Sequence, residues 1–473
     1  MTAFKNKYFY LLLSGLLLGL SACRVGRNYE RPSVPLPAQF TGVTTGDTLS
    51  IAETGWKQFF TDPVLQALID SALKGNYGLQ TALSRIDASG QQVKQAKAAF
   101  LPRVSAQIGA NTSVYRENSL NGISYNAFLG ADHIEDYSVD VNLSWEADVW
   151  GRIRRQKEAA LDHYLQSYEA ARLVQTTLVA DVAQGYYNLL MLDAQLTIAR
   201  QNVALGDSIL QITRLQKTAG DVTELAVEQA DVQKQAAALL IPQLEQGIQI
   251  QENALRILTG ALPGPISRDA DINAIPLPDH LDAGLPATLL SKRPDVRSAE
   301  LELMAANAQV GSAQANMYPM LNITAGGGLD AFKASNWFNI PNSLFGLVGG
   351  TILQPILQGR QLKTQFEVAK ITREQAVIAF RQSVLNAVGE VSNALVANTK
   401  LKEQEQIADY RLHTLRHAID HAQLLYKSGV ANYLEVITAQ GNLLQSQLDF
   451  ANIKRQQLSA VVELYRSVGG GTK

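Results

Sequence analysis

Three histidines stand four residues apart, His413, His417 and His421, inside a stretch of helical periodicity. Residues four apart share one helix face, so these imidazoles have the spacing that gathers a divalent metal. His417 also falls in a seven-residue series with Tyr410 and Leu424. Such a series reads as a packing seam, and packing is the expected role. No other spacing builds a reaction centre. The chain has no phosphate-cradling glycine loop, no nucleophile elbow and no HExxH zinc signature. The expectation is a chain that is not an enzyme and holds no cofactor and no metal. Carboxylates also stand beside two glycine turns: Asp221 and Glu224 after Gly220, and Glu435 after Gly429 and Val430. An acid in the first turn of a helix is stabilised by the N-terminal dipole, which is the plain role for each.

Charge and leader narrow the setting. The 473 residues carry a net charge of −2 and are 46% hydrophobic. That leaves no basic field to neutralise phosphates, so nucleic acid is not an expected partner. Lys5 and Lys7 precede an apolar run from Tyr8 to Leu20, and Leu20-Ser21-Ala22-Cys23 follows. The stretch resembles a bacterial signal peptide with a lipobox, implying removal of residues 1–22 and lipid attachment at Cys23. Cys23 is the only cysteine, so no internal disulfide can form. Arg24 follows it, where an aspartate would be the usual signal for inner-membrane retention, so the resemblance implies sorting to the outer membrane. Several acyl chains, at about 0.8 kcal/mol per buried CH₂, would anchor the chain stably in lipid. Past the leader, no uncharged apolar run reaches the roughly 18–20 residues of a membrane-spanning helix.

The elements that position the two turns come next. Residues 23–61 read as an extended, lipidated N-terminal segment rich in Pro, Gly, Ser and Thr. Asp62-Pro63 opens helical sequence that runs over 62–100, with a break at Asn76-Tyr77-Gly78 and an end before Pro102. Strands are expected over 102–113 and 137–150, separated by a polar loop. In the second, Tyr137, Val139, Val141, Leu143, Trp145 and Val149 alternate with Ser138, Asp140, Asn142, Ser144, Glu146 and Asp148. That alternation suits a half-buried soluble sheet and equally a transmembrane barrel strand of about 9–11 residues. From 151 to 217 the period is helical without a proline, a rod of roughly 100 Å. Leu189, Leu196, Val203 and Leu210 form one seven-residue series, and Met191, Ile198, Leu205 and Ile212 another, about 200° around the helix. Opposed seams give a helix a neighbour on each side, as in a closed ring. A return helix is expected over 224–258, kinked or broken at Pro242.

Residues 262–292 read as a connector, and the pattern then repeats over 293–468, as 62–261 did before it. A helix over 294–317, strands over 319–329 and 344–357, and helices over 360–427 and 433–468 match the first half, leaving 469–473 as a tail. The last strand is the weakest, carrying Gly346, Gly349, Gly350 and Pro355. Four apolar-faced strands cannot close a barrel, and open edges are not viable in lipid. Three copies would supply twelve strands, between the roughly eight that side chains fill and the sixteen that hold an aqueous channel.

These features together resemble one family. The lipobox, Trp56-Lys57-Gln58-Phe59 with Asp62-Pro63, Arg293-Pro294-Asp295-Val296-Arg297, the two helix-to-strand prolines, and Lys427-Ser428-Gly429-Val430 with Tyr433-Leu434-Glu435-Val436 are similar to TolC-type outer-membrane efflux channels of the NodT/OprM-like lipoprotein branch. The resemblance implies an α+β membrane protein. Three chains with four strands each would form a twelve-stranded outer-membrane β-barrel that continues into a long periplasmic α-helical barrel, with an internal two-fold repeat. It implies a passive exit duct for small molecules, with a periplasmic adaptor and an inner-membrane proton-driven RND pump as partners. In the family, acids after the second turn ring the tunnel constriction. Glu435 takes that position, Thr438 stands where a second acid is common, and Asp221 and Glu224 are secondary candidates. Gly220, Gly429 and Val430 mark the tips where an adaptor would dock. An outlet for peptide or protein secretion and a non-channel periplasmic coiled-coil lipoprotein remain as alternatives.

Overall fold

The computed structural model describes residues 25–40, 51–131, 133–268, 270–276 and 283–472. The expected signal peptide and Cys23 lie outside the described residues. The chain forms two compact units. The first comprises Asp87–Leu165 and Glu300–Ile378 with the N-terminal segment up to Pro32, and the second comprises Ser33–Ile86, Gln166–Ala299 and Ala379–Lys473.

The first unit holds one four-stranded antiparallel sheet, β1 (Arg103–Val114), β2 (His133–Ala147), β3 (Met320–Ala331) and β4 (Leu344–Leu353), in that order. Directly opposed residues of an antiparallel pair point to the same face. Val104, Ala106 and Ile108 oppose Leu143, Val141 and Val139. These oppose Ala325, Gly327 and Leu329, and Trp145 opposes Ile323. Leu321, Ile323 and Ala325 in turn oppose Ile352, Gly350 and Val348. The register therefore gathers most apolar residues of the four strands on one face and Ser105, Gln107, Asp140, Asn142 and Thr324 on the other, where Phe345, Leu347 and Leu353 of β4 also fall. Val104, Ile108, Val141, Val348 and Ile352 are exposed, so nothing among the described residues covers the apolar face.

β2 begins at His133 rather than 137, and two strands end short of expectation. β2 stops at Ala147 rather than 150, because Asp148 caps the next helix, accepting from the N–H groups of Ile153 and Arg154 at 2.9 Å each. β4 stops at Leu353, before Pro355, which has no N–H to donate to a ladder. The polar loop between β1 and β2 contains an unexpected helix, Leu120–Leu129, capped by Ser119 and closed by Gly130 in the left-handed conformation. At the helix-side rim, the Trp145 indole donates to the Phe100 carbonyl at 2.9 Å and the Trp150 indole to that of Pro319 at 2.8 Å. Trp150 also packs on Tyr318. Such amphipathic aromatics suit a membrane–water interface.

The helices are α1 (Pro63–Gly75), α2 (Tyr77–Ala98), α3 (Leu120–Leu129), α4 (Arg152–Ala219), α5 (Glu224–Leu258), α6 (Pro294–Ala315), α7 (Gln361–Lys427) and α8 (Tyr433–Ser467), with shorter turns between. In the second unit, Asp62 caps α1 by accepting from Val64 N at 2.8 Å and Leu65 N at 3.2 Å, while its other oxygen takes the Tyr186 hydroxyl. Trp56, Phe60, Leu65, Ile69, Tyr186, Leu255 and Tyr465 share the core there. α5 runs unbroken through Pro242, which sits on an exposed position.

The two seams of α4 face different partners. Leu210 packs with Val227 and Ala230 of α5, whereas Leu205 and Ile212 pack with Leu412, Ile419 and Tyr426 of α7 and Val436 of α8. Arg200–Glu245 and Asp207–Lys234 tie α4 to α5, Asn202–Gln447 ties α4 to α8, and Lys454–Glu405 ties α8 to α7. α5 and α7 each present an exposed stripe: Leu225, Val232 and Leu239 at seven-residue spacing on α5, and Tyr410 and Leu424 with His417 midway between them and Ile407 nearby on α7.

Candidate functional site

The two glycine turns are built alike. α4 ends where Gly220 adopts a φ of +87°. The Gly220 N–H then donates to Lys217 O at 3.0 Å and the Asp221 N–H to Gln216 O at 2.9 Å. α7 ends where Gly429 takes a φ of +75°, with Gly429 N–H donating to Tyr426 O at 3.1 Å and Val430 N–H to Leu425 O at 2.9 Å. Both pairs of bonds satisfy the last helix carbonyls, and the left-handed residue they require is one glycine adopts without steric cost. Gly220, Gly429 and Val430 are all exposed.

Beyond each turn a new helix starts. Asn432 caps α8, its side-chain oxygen accepting from the Glu435 N–H at 3.2 Å. Glu435 is exposed and so is Thr438 one turn on, while Val436 between them is fully buried. The buried valine fixes the helix roll and thereby turns both neighbours outward. In the first hairpin Glu224 is ion-paired with Lys217 across the turn, and Asp221 is exposed. The Tyr433 hydroxyl donates to the Gln229 side-chain oxygen, joining the starts of α8 and α5. Tyr426 and Thr213 hydroxyls meet at 3.3 Å between α7 and α4. The tip thus presents the carboxylates of Asp221, Glu224 and Glu435 on two cross-linked hairpins. In the sequence these cross-links leave little signal beyond polar residues on otherwise apolar stripes.

The histidines lie higher on α7. His413, His417 and His421 are exposed, and His413 approaches Asp409 at 3.9 Å. The series buried within the chain is Leu412, Ile419 and Tyr426, whereas Tyr410, His417 and Leu424 point away from its core. Among the described residues, no group of three or more His, Cys, Asp or Glu side chains is placed to hold a metal.

The Arg293 motif is structural. Its buried guanidinium donates to both Asp295 oxygens at 2.9 and 2.6 Å, to Glu390 at 2.9 Å and to the Ser467 carbonyl at 2.9 Å. Arg466 reaches the same Glu390 oxygen at 3.1 Å. This network fastens the start of α6 to the end of α8 and to α7.

The profile of the outer membrane efflux protein family matches residues 68–261 and 285–470. The toluene efflux pump outer membrane protein TtgF of Pseudomonas putida is 31% identical over 487 residues, covering 99% of this chain and 97% of that one. The cation efflux system protein CusC of Escherichia coli is 28% identical over 459 residues, covering 96% and 97%. The solved outer-membrane channel OprN superposes with a TM-score of 0.87 at 25% identity, over 95% of this chain and 100% of that one.

Proposed function

We infer how this chain works from one premise: it belongs to the outer membrane efflux protein family, and it is the outer-membrane channel component of an efflux system. That premise leaves no room for a non-channel coiled-coil lipoprotein. The chain resides in the outer membrane and conducts small molecules outward.

The working form we propose is a homotrimer. The observation that carries it is the sheet register. All four strands turn apolar residues to one uncovered face, and both edge strands, β1 and β4, lack a neighbour among the described residues. An unpaired strand edge is not viable in hydrocarbon, so other copies must supply the missing neighbours. Three copies give a twelve-stranded barrel, wide enough for an open lumen. The exposed stripes on α5 and α7 support the same closure among the helices, α7 of one copy against α5 of the next. The two-fold repeat is supported by the family profile matching twice and by the succession helix, strand, strand, long helix, return helix in each half.

The relatives TtgF and CusC carry names of pumps for toluene and for cations. A periplasmic adaptor and an inner-membrane RND pump are the partners we assign to this chain, with Gly220, Gly429 and Val430 at the docking tips. Glu435 is the gate residue, with Thr438 beside it and Asp221 and Glu224 contributing at the first turn. Transport through the duct itself is passive: the tips part, and cargo diffuses along the lumen. Cys23 is the lipid attachment site.

Reconstitution tests the proposal. Protein extracted from outer membranes should run as a heat-modifiable oligomer of three copies and give stepwise conductance in planar bilayers. A monomer without conductance would overturn the trimeric duct.

A further inference from the structure

Phe345 and Leu347 stand on the face of the sheet that carries Gln107, Asp140 and Asn142, and both are exposed there. Apolar bulk left open among polar residues marks a surface that something apolar covers. The register gives its surroundings. Gln107, Asp140, Gly328 and Phe345 oppose one another across the four strands, and Ser105, Asn142, Gly326 and Leu347 form the neighbouring row on the same face. β3 is therefore a bare floor between a wall of carboxylate and amide and a wall of apolar side chains. Strands lie about 4.8 Å apart, so the Cα atoms of Asp140 and Phe345 flank Gly328 on the order of 10 Å from each other, and the two rows are about 7 Å apart along the strand. The floor has to stay bare. A Cβ on Gly326 would stand 2.5 Å from Asn142 Oδ1, and one on Gly328 would collide with the Val139 carbonyl oxygen. Close approach of β2 and β3 accounts for these glycines, but not for the two apolar side chains beyond them.

Charge selects the occupant. The Asn142 side-chain amide donates to the Asp140 carboxylate and leaves its charge uncancelled. Asp330 stands on the same face one row outward, opposite Ser138. Neither row of the trough contains a lysine or arginine, and Arg103 lies in the next row inward on β1, the strand farthest from β4. An ammonium group over the glycine floor would meet the Asp140 carboxylate on one side and the Phe345 ring on the other, and both attract a cation. An apolar body beside it would take Leu347 out of water. We propose that Asp140, Phe345 and Leu347, around the floor of Gly326 and Gly328, form a binding site for organic cations with an apolar body. The proposal rests on the reading of this face as the water-filled lumen of the duct. The wall would hold such cargo briefly on its way out, repel anions, and give small hydrated cations no apolar contact.

Saturation-transfer NMR on the full-length, detergent-extracted protein tests this with three probes: benzyltrimethylammonium, tetramethylammonium and benzyl alcohol. Wild type should bind benzyltrimethylammonium saturably, and tetramethylammonium at least about tenfold more weakly, since it lacks the apolar body. Asp140→Asn should weaken benzyltrimethylammonium about fivefold or more and leave benzyl alcohol unchanged, because only the charge is lost. Leu347→Asn should weaken both. A folding defect would move both probes in both variants, so the split between probes marks the site. Absence of saturable binding, equal binding of the two ammonium ions by wild type, or equal half-saturation in wild type and both variants overturns the site. Conductance of the same preparations in planar bilayers separates this from the duct reading. A wild type that conducts but shows no such selectivity overturns the site alone, whereas a wild type without conductance overturns the duct and the site with it.

Discussion

Glu435 stands third in its helix, exposed, with its own N–H held by the Asn432 cap. Three copies would set three such carboxylates around one opening, which attracts cations and repels anions. Thr438 adds no charge and Glu224 is matched by Lys217, so in the proposed gate the tip's negative field rests on Glu435 and Asp221. Glu435→Gln is expected to lower the cation-over-anion permeability ratio of single channels several-fold, read from reversal potentials under a salt gradient. Its cost in stability should stay under about 1 kcal/mol, since only the helix-dipole interaction is lost. Unchanged reversal potentials would remove Glu435 from the gate. The position of this residue was legible in the sequence because a glycine turn, an asparagine cap and a helix start follow one another there. Its neighbours across the hairpins were not, because the Tyr433–Gln229 and Thr213–Tyr426 contacts join residues 204 and 213 positions apart.

At the scale of elements, the junction of α6, α7 and α8 depends on Arg293. Removing one partner of a buried charge network leaves the others desolvated and unmatched. Arg293→Ala is expected to cost about 3 kcal/mol or more, seen as earlier melting of the heat-modifiable oligomer. The same junction carries a pH dependence. Burial alone would raise the Asp295 carboxyl, but hydrogen bonds and charge from Arg293 hold it below the ordinary aspartate range. A carboxyl depressed on folding adds stability that is complete above its unfolded value, about 3.9, and is lost as pH falls through the lower folded value. Melting should therefore drop below about pH 4, and drop less in Asp295→Asn; equal drops would show that other groups carry the acid sensitivity. β1 and β2 were legible because polar and apolar residues alternate strictly along them. β4 was weak for a visible reason. Phe345, Leu347 and Leu353 lie on the face that is polar in β1 and β2, the first two opposite Gly328 and Gly326 of β3, while Gly346 and Gly350 occupy the apolar face. Bulk sits against glycine across the pair, and only the register with β3 reveals it. α3 escaped detection because its 10 residues are too few to establish a period, although its Ser119 and Gly130 caps stood in the sequence.

At the scale of the molecule, the faces of the sheet decide which side meets lipid. Val348 is exposed on the apolar face of β4, next to Leu347 on the other. Val348→Arg should cost about 2–4 kcal/mol if that face meets the middle of the bilayer, whereas Leu347→Arg should leave stability nearly unchanged. Urea titration of folding into liposomes distinguishes them, and equal losses would mean the sheet faces are misassigned. The exposed stripes of the helical unit have a consequence of another kind. The stripe on α5 and the stripe on α7 are unlike surfaces, so in the proposed trimer copies would join head to tail rather than face to face, and such joints make rings or open chains. In such a ring, a chain damaged on α7 alone would still offer a sound α5, be recruited by healthy copies and then block completion. In a cell making damaged and sound chains in equal amounts, only about one ring in eight would be wholly sound, if three copies close it. One spoiled edge is then dominant over an intact one, whereas a lesion that unfolds the whole chain removes it from the pool and stays recessive.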